Sequence, residues 1–407
     1  MRITITSDFH FGYSLNTEIG EDSFENAKEV LLKSGDSDII LIAGDLFDSR
    51  IPTTEVWKKA FETLSIPILT ENKNVKIVNT IGKGIKKISQ ITLNRTPIIA
   101  IHGTHERMGR DQGNAIQALE ETGFLIHLHC NGVVLEKNGI KVAIQGMSGV
   151  PERYAKDILD KWNPKPIEDC YNILLIHQSI EPYIYSPLDP PSLSLNNLPE
   201  GFDLIINGHI HSPHKTSIGE TDLLMPGSTI ITQLKDEELK NPKGFYKLKL
   251  PEKKFDFIQI EKSRKIFLIE FDADKEYIGK IKKDLDEILK EKLDKKPIIK
   301  IKIQGKKINL IDKDISDIIK KYGKFCIFSI QKKFEEGKLD KKIEILGKIR
   351  EEKLSIEEMG MKILMDNLSE MKFNGEFNPE YLFSILSEDK IDIAFNILLN
   401  KQKTLGG

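Results

Sequence analysis

The sequence predicts an α/β protein, with a layered sheet-and-helix domain followed by a small α+β unit and a helical C-terminal region. Three observations carry that expectation. Short β-rich apolar runs alternate with helix-like stretches as far as Ile260, the texture changes at Arg264, and the chain after Gln331 reads as mostly helical. At 407 residues the chain exceeds one ordinary domain, and about two to three domains are expected.

Ile3–Ile5, Ile39–Ile42, Ile98–Ile101, Ile173–Ile176 and Leu204–Ile206 read as buried strands, because each run is too short for a helix and ends in polar residues. Ser23–Leu32 reads as a helix between the first two strands, and Thr54–Leu64 as another after the second. The stretch Ile66–Pro97 is less regular. Its Gly82-Lys83-Gly84 and Lys86-Lys87 mark an inserted hairpin or loop. Val133–Gly146 reads as a β-hairpin turning at Asn138-Gly139. The strands Phe245–Leu250 and Phe255–Ile260 close a first domain over 1–262.

A second unit spans 263–331. Ile266–Phe271 is a strand, and Tyr277–Leu293 a helix with Ile278, Ile281, Leu285, Ile288 and Leu289 on one face. Ile299, Ile301 and Ile303 alternate as a half-buried strand. Asp314–Tyr322 is helical and Phe325–Ile330 extended. Over 332–407, Asn378-Pro379 is a good helix start, with Leu382, Ile385 and Leu386 as the apolar face, and Ile391–Leu399 is a second helix.

Hydrophobic residues make up 39% and charged residues 30% of the chain, with a formal net charge of -2, so any nucleic-acid surface must be a local patch. Cys130, Cys170 and Cys326 are far apart and lack CxxC spacing, which argues against disulfides or a zinc ribbon and suits a reducing cytoplasm. The start, Met1–Thr6, lacks a signal-peptide core, and no run approaches the ~20 apolar residues of a membrane span. A cytoplasmic protein without a membrane contact is expected.

The chemistry sits where the strands end. Asp8-Phe9-His10 follows the first strand, Gly44-Asp45-Leu46-Phe47-Asp48 the second and Gly103-Thr104-His105-Glu106 the third. His177 follows the fourth strand, and Gly208-His209-Ile210-His211 the fifth. A lone DxH or GD arises often by chance, whereas five such ends in one order do not. In open α/β sheets ligands bind at the carboxyl ends of strands, and carboxylate with imidazole suits manganese, iron or zinc. Asp8 and His10, two apart, point the same way on an extended backbone, as do His209 and His211. Glycines 44, 103 and 208 permit unusual angles and close approach. A carboxylate such as Asp45 can bridge two metals, and ions about 3.5–4 Å apart would clamp a phosphodiester and activate water. Of the other histidines, His127 and His129 are expected to line a strand face, His102 to support the site and His214 to lie in a loop.

These motifs resemble the calcineurin-like metallophosphoesterase superfamily, which runs DxH, GDxxD/H, GNHD/E, H and GHxH. DFHFG, GDLFDSRIP, GTHER, Ile176-His177-Gln178, GHIHSP and Met225–Thr229 resemble more closely the SbcD-type nuclease subunit of the double-strand-break repair complex, over about residues 1–235. The absence of GDxxDRG sets the chain apart from protein phosphatases. The resemblance implies a β-sandwich flanked by helices, with an α+β capping domain. It also implies two manganese ions, iron, magnesium and zinc being alternatives. Asp8, His10 and His211 match the ligands of one metal, Asp45 the bridge, and His177 and His209 ligands of the second. His105 matches a catalytic histidine that contacts the phosphate, and Asp48 follows the bacterial-type motif. Thr104 stands where the family has a metal-binding Asn and is counted with the metal residues in its place; a threonine hydroxyl is shorter and a poorer ligand, so the second site is weaker or a water fills the gap. Glu106 stands at a position usually outside the ligand set. The implied partners are double-stranded DNA ends, a coiled-coil SMC-like ATPase held by the C-terminal helices, and a second copy joined through residues 111–123, Ile116 and Leu119 among them. Lys83, Lys86, Arg107 and Arg110 are candidates for holding the DNA backbone. The resemblance leaves open a phosphoesterase for small substrates and a DNA-end scaffold with weakened catalysis.

Overall fold

The structure, a computed structural model, describes residues 1–332 apart from 71–73, 110–111, 185–191, 235–237, 240, 274–276 and 306–311, together with 364–365 and 382–383. Met1–Lys333 form one compact unit and Phe334–Gly407 another. The helices expected over 332–407 lie outside the described residues, save those four positions.

The first strands are β1 (Arg2–Thr6), β2 (Ile39–Ala43), β3 (Lys76–Ile81), β4 (Ile98–Ile101), β5 (Ile126–His127) and β6 (Asn131–Lys137). Then come β7 (Ile140–Met147), β8 (Tyr171–Ile176), β9 (Ile180–Glu181), β10 (Leu193–Ser194), β11 (Leu204–Asn207) and β12 (His214–Ile218). The last are β13 (Thr221–Met225), β14 (Gly244–Lys249), β15 (Lys254–Gln259), β16 (Ile266–Asp272), β17 (Ile298–Gln304) and β18 (Ile327–Lys332). They build one sheet in the order β15-β14-β1-β2-β4-β5 and a second in the order β12-β13-β11-β8-β7-β6-β3.

The two sheets face each other. Ile3, Ile5, Ile39, Leu41, Ile99 and Ile101 meet Val133, Val142, Ile144, Ile173, Leu175 and Leu204 in the core between them. The alternate residues Ile40, Ile42, Ile98 and Ala100 turn outward onto Phe24, Ala27, Val56 and Ala60 of the helices Asp22–Lys33 and Thr54–Ile68. On the far side Leu174, Ile176 and Ile205 pack against Ala155 and Leu159 of the helix Glu152–Trp162. Four layers result, helix–sheet–sheet–helix. Strands buried on both faces read as continuous apolar runs, which is why the residue pattern alone pointed to one helix-covered sheet. The Asn138-Gly139 hairpin forms as expected, with φ of 50° and 78°, and joins β6 to β7.

Three expectations need correction. Part of Ile66–Pro97 is a sheet strand and not a separate inserted hairpin, since β3 pairs antiparallel with β6 at the edge of the second sheet. Its register shifts between Ile77 and Asn79 and most of it is exposed, so it lacks the alternation of a core strand. The helix expected over Tyr277–Leu293 is shorter, Ile278–Ile288. And β17 is not half-buried: it is the central strand of the parallel sheet β16-β17-β18, with Ile298–Ile303 all buried.

On one face of that small sheet, Ile299, Ile301 and Ile303 join Ile281, Leu285, Ile315 and Ile318 in a core of their own. On the other face are Lys300 and Lys302, both nearly inaccessible. Arg264 fastens the small sheet to the sandwich: its guanidinium donates to Asp22 at 2.6 and 3.0 Å and to the carbonyls of Lys296 and Glu18.

Candidate metal centre

The loops after β1 and β2 run side by side. Asp8 N–H donates to the Gly44 carbonyl at 3.0 Å, His10 to Asp45 at 3.0 Å and Phe11 to Leu46 at 2.8 Å. This zipper brings the Asp8, His10 and Asp45 side chains together. The backbone is not extended there, as the two-residue spacing suggested: Asp8, His10 and Asp45 have φ of 54°, 50° and 49°, and His209 has 74°. Left-handed non-glycine residues cost of order 1–3 kcal/mol each and gather where surrounding contacts over-determine them. Gly103 and Gly208 are needed for room. A Cβ on Gly103 would lie 2.0 Å from Asp45 Oδ1, and one on Gly208 would lie 1.9 Å from the Ala43 carbonyl oxygen.

Among the described residues three donor groups converge: Asp8, His10 and His211; Asp8, Asp45 and His177; and His10, Asp48 and His105. In the first, the Nε2 atoms of His10 and His211 lie 3.2 Å apart. Their other nitrogens are held, His10 Nδ1 by Asp48 Oδ1 at 3.1 Å and His211 Nδ1 by Thr232 Oγ1 at 2.7 Å. In the second, His177 Nδ1 donates to the Ala43 carbonyl at 2.7 Å, which aims Nε2 into the crevice. That Nε2 lies 3.2 Å from Asp45 Oδ2 without the alignment of a hydrogen bond. The His209 ring lies 5.4 Å from that of His177. Thr104 Oγ1 donates to Asp45 Oδ2 at 3.3 Å, and the His105 N–H to Asp45 Oδ1 at 2.9 Å.

These residues suit divalent cations on structural grounds. Both Asp8 carboxylate oxygens and His177 Nε2 are buried without a hydrogen-bond partner. A buried carboxylate so placed is costly unless something positive meets it. The charges respond accordingly. Burial pushes Asp45 up, but His177, His10 and His105 outweigh it and hold the carboxyl well below its usual range. Burial lowers His177, but Asp45 and Asp8 raise it to about 10. The protonated imidazole thus supplies the positive charge that a cation would supply. His209 is pushed down to about 4 by burial and by His177.

Glu106 is a strut. Fully buried, it accepts from Phe47 N–H and Gly103 N–H, both at 2.8 Å, and ties the β2 loop to the β4 loop. Burial, then the nearby Asp45, push it up to about 8. Met225–Thr229 braces the same loops: Thr229 N–H donates to the Asp8 carbonyl at 3.3 Å and Ser228 N–H to that of His211 at 3.1 Å. Thr232, Glu238 and Lys243, which surround His211, belong to no motif readable in the sequence. Lys243 Nζ donates to Glu238 at 2.8 Å, Ser228 Oγ at 2.8 Å and the His211 carbonyl at 3.0 Å.

The remaining candidates separate. His127 and His129 both lie beside His102, with ring centres 5.2 and 5.5 Å away, and none of the three joins a converging donor group. His214 does not lie in a loop as expected: it opens β12, paired with Met225, and packs on Tyr183. Lys83 does not offer itself to a ligand: it pairs with Glu120 at 2.8 Å and donates to the His127 carbonyl at 3.0 Å. Lys86 is exposed and Arg110 lies outside the described residues. Arg107, with Arg50 and Lys161, lines an open groove of about 1100 Å³ that also includes His102, His129 and Tyr154.

A family model for the calcineurin-like phosphoesterases matches residues 1–213, just over half of the chain. The chain belongs to the calcineurin-like phosphoesterase family. Among similar family proteins is the DNA double-strand break repair protein Mre11 of Methanopyrus kandleri, 25% identical over 300 residues, covering 68% of this chain and 60% of that protein. Human double-strand break repair protein MRE11 is 27% identical over 289 residues, covering 61% of this chain and 39% of that one. Mre11 of Methanosarcina mazei is 29% identical over 238 residues, covering 56% and 33%. The match therefore spans less than two thirds of each of these relatives. No helix among the described residues is long and apolar enough to cross a membrane.

Proposed function

We propose that this phosphoesterase is a metal-dependent nuclease of DNA double-strand-break repair that hydrolyses phosphodiester bonds at a two-ion centre. The observation that carries the reading is the pair of donor groups sharing Asp8, whose buried oxygens have no hydrogen-bond partner. The Mre11 relatives, proteins named for DNA double-strand break repair, point the same chemistry at DNA.

In this reading Asp8, His10 and His211 would hold one manganese ion and His177 and His209 the other, with Asp45 as the carboxylate that both would share. Thr104 lies at the edge of the second site, where its hydroxyl steadies the bridge. When bound, such a pair neutralises the phosphate, activates a water and stabilises the leaving oxygen. The chain's own residues do the rest. Asp48 orients His10 by its carboxylate, and its carbonyl lies 2.9 Å from His105 Nδ1. With Nδ1–H donating to that carbonyl, His105 presents Nε2 at the exposed mouth of the crevice. A proton there reaches the phosphate or the leaving oxygen, and no covalent enzyme intermediate is required. The groove bearing Arg50, Arg107 and Lys161 supplies the positive lining that a nucleic-acid backbone needs.

The further parts of the reading follow the SbcD-type nuclease subunit. Residues 1–262 are the nuclease domain, 263–331 the cap that selects DNA ends, and 332–407 the region that holds a coiled-coil ATPase. Two copies pair through the segment containing the helix Ala115–Glu121, and the protein works in the cytoplasm on the nucleoid. Cleavage of end-labelled double-stranded DNA beside bis-p-nitrophenyl phosphate, with manganese and with His105→Ala in parallel, tests the reading. DNA cutting that needs the metal and vanishes in the variant supports it. Hydrolysis of the small ester alone would assign a small-substrate phosphodiesterase. With neither cut, the scaffold reading motivated by Thr104 takes over.

A further inference from the structure

We infer that Lys300, on the central strand of the small α+β sheet, is a positioning residue for the metal centre: it latches the segment that orients His211. The inference rests on the metal-centre reading above. β17 turns Ile299, Ile301 and Ile303 into the core of its own unit, so Lys300 emerges on the opposite face. There it is only 5% exposed and donates to the Leu234 carbonyl of the sandwich domain. Withdrawing an ammonium from water costs several kcal/mol unless it is partnered, so the Lys300 ammonium is held here by its partners, the Leu234 carbonyl among them.

Leu234 lies two residues from Thr232, whose Oγ1 is 2.7 Å from His211 Nδ1. The segment between is tightly tied. Thr232 N–H and Gln233 N–H donate to the two oxygens of Glu238, at 3.3 and 2.8 Å. Lys243 joins Glu238 to the His211 carbonyl, and Tyr13 Oη donates to the Thr232 carbonyl at 2.7 Å. All of these are protein-to-protein contacts in a partly buried polar belt, so a shift at Leu234 is carried to the Thr232 hydroxyl and from there to the imidazole. The α+β unit therefore sets one metal ligand. A nucleic acid that moves this unit would change the metal centre without touching it.

The test uses the full chain. Manganese binding is measured by calorimetry without DNA, and bis-p-nitrophenyl phosphate kinetics at subsaturating manganese, for wild type, Lys300→Met, Lys300→Arg and Arg264→Gln. Removing support behind a ligand typically weakens metal affinity ~10–100-fold. Lys300→Met is expected to weaken one ion about 10-fold, the low end of that range, and to lower kcat with KM unchanged, because the small ester cannot reach the α+β unit. Lys300→Arg keeps the donor and is expected to restore both. Arg264→Gln removes the Asp22 tie of the same unit and leaves the Lys300–Leu234 contact in place, so it is expected to weaken manganese less than Lys300→Met does. Lys300→Gln, polar but too short to reach Leu234, serves if methionine is not tolerated. Wild-type manganese affinity in Lys300→Met, or equal weakening by Arg264→Gln, overturns the inference. Wild-type protein that binds no manganese overturns the metal-centre reading itself, and the latch with it.

Discussion

His105 stands at the mouth of the crevice with its backbone tied to Asp45 and its Nδ1 to the Asp48 carbonyl. Its removal should therefore change chemistry more than metal binding. His105→Ala is expected to lower kcat on a phosphodiester by ~10²–10⁴ while manganese affinity by calorimetry stays unchanged. Joint loss of both would place it among the ligands. Thr104 offers the reverse case. An asparagine there reaches further than a hydroxyl, so Thr104→Asn is expected to bind the second ion more tightly, seen as a lower manganese concentration for half-maximal hydrolysis. Protonation sets the pH response. His177 is raised to about 10, so its contribution to metal-free stability is full below about 6.5, its ordinary value, and is lost as pH rises to 10. His209, lowered to about 4, contributes above about 6.5 and loses that contribution as pH falls to 4. The two windows do not overlap. Thermal unfolding of metal-free protein should therefore show a maximum near pH 6.5, and manganese should remove the alkaline decline by holding His177 neutral. A decline between pH 8 and 10, above the range in which Glu106 loses its contribution, that persists under saturating manganese would separate His177 from the metal.

At the level of strands and loops, the sequence placed each candidate at a strand end because position along the chain is what short apolar runs reveal. It missed how the ends converge. Asp8, His10 and Asp45 meet through left-handed turns zipped by backbone bonds, and backbone conformation at non-glycine residues leaves no compositional trace. Thr232, Glu238 and Lys243 were invisible for a related reason: they reach His211 from a segment without periodicity or motif. The glycines were legible, and their role is testable. Gly208→Ala would force a Cβ into the Ala43 carbonyl, backbone against backbone. It is expected to cost about 2 kcal/mol or more in denaturant unfolding and to abolish manganese-induced stabilisation. An effect below about 0.5 kcal/mol, that of a neutral surface change, would contradict the packing described.

On the scale of the whole molecule, two sheets face each other, and the crevice collects ends from both: β1, β2 and β4 from one, β8 and β11 from the other. Periodicity cannot assign a doubly buried strand to one sheet or another, so the sandwich came from the motif resemblance and not from the apolar runs. The α+β unit was readable because Ile281 and Leu285 on its helix and Ile299, Ile301 and Ile303 on its strand keep clean spacing. The buried Lys300 and Lys302 on the reverse face were not, since lysines in an alternating strand normally mark solvent. The central claim is that these parts build a centre for two ions. Manganese titration of the metal-free full chain by calorimetry, beside Asp45→Ala, tests it most directly. The account predicts two ions per wild-type chain and loss of the paired binding in the variant. A folded wild-type chain that saturates with one ion or none would contradict it.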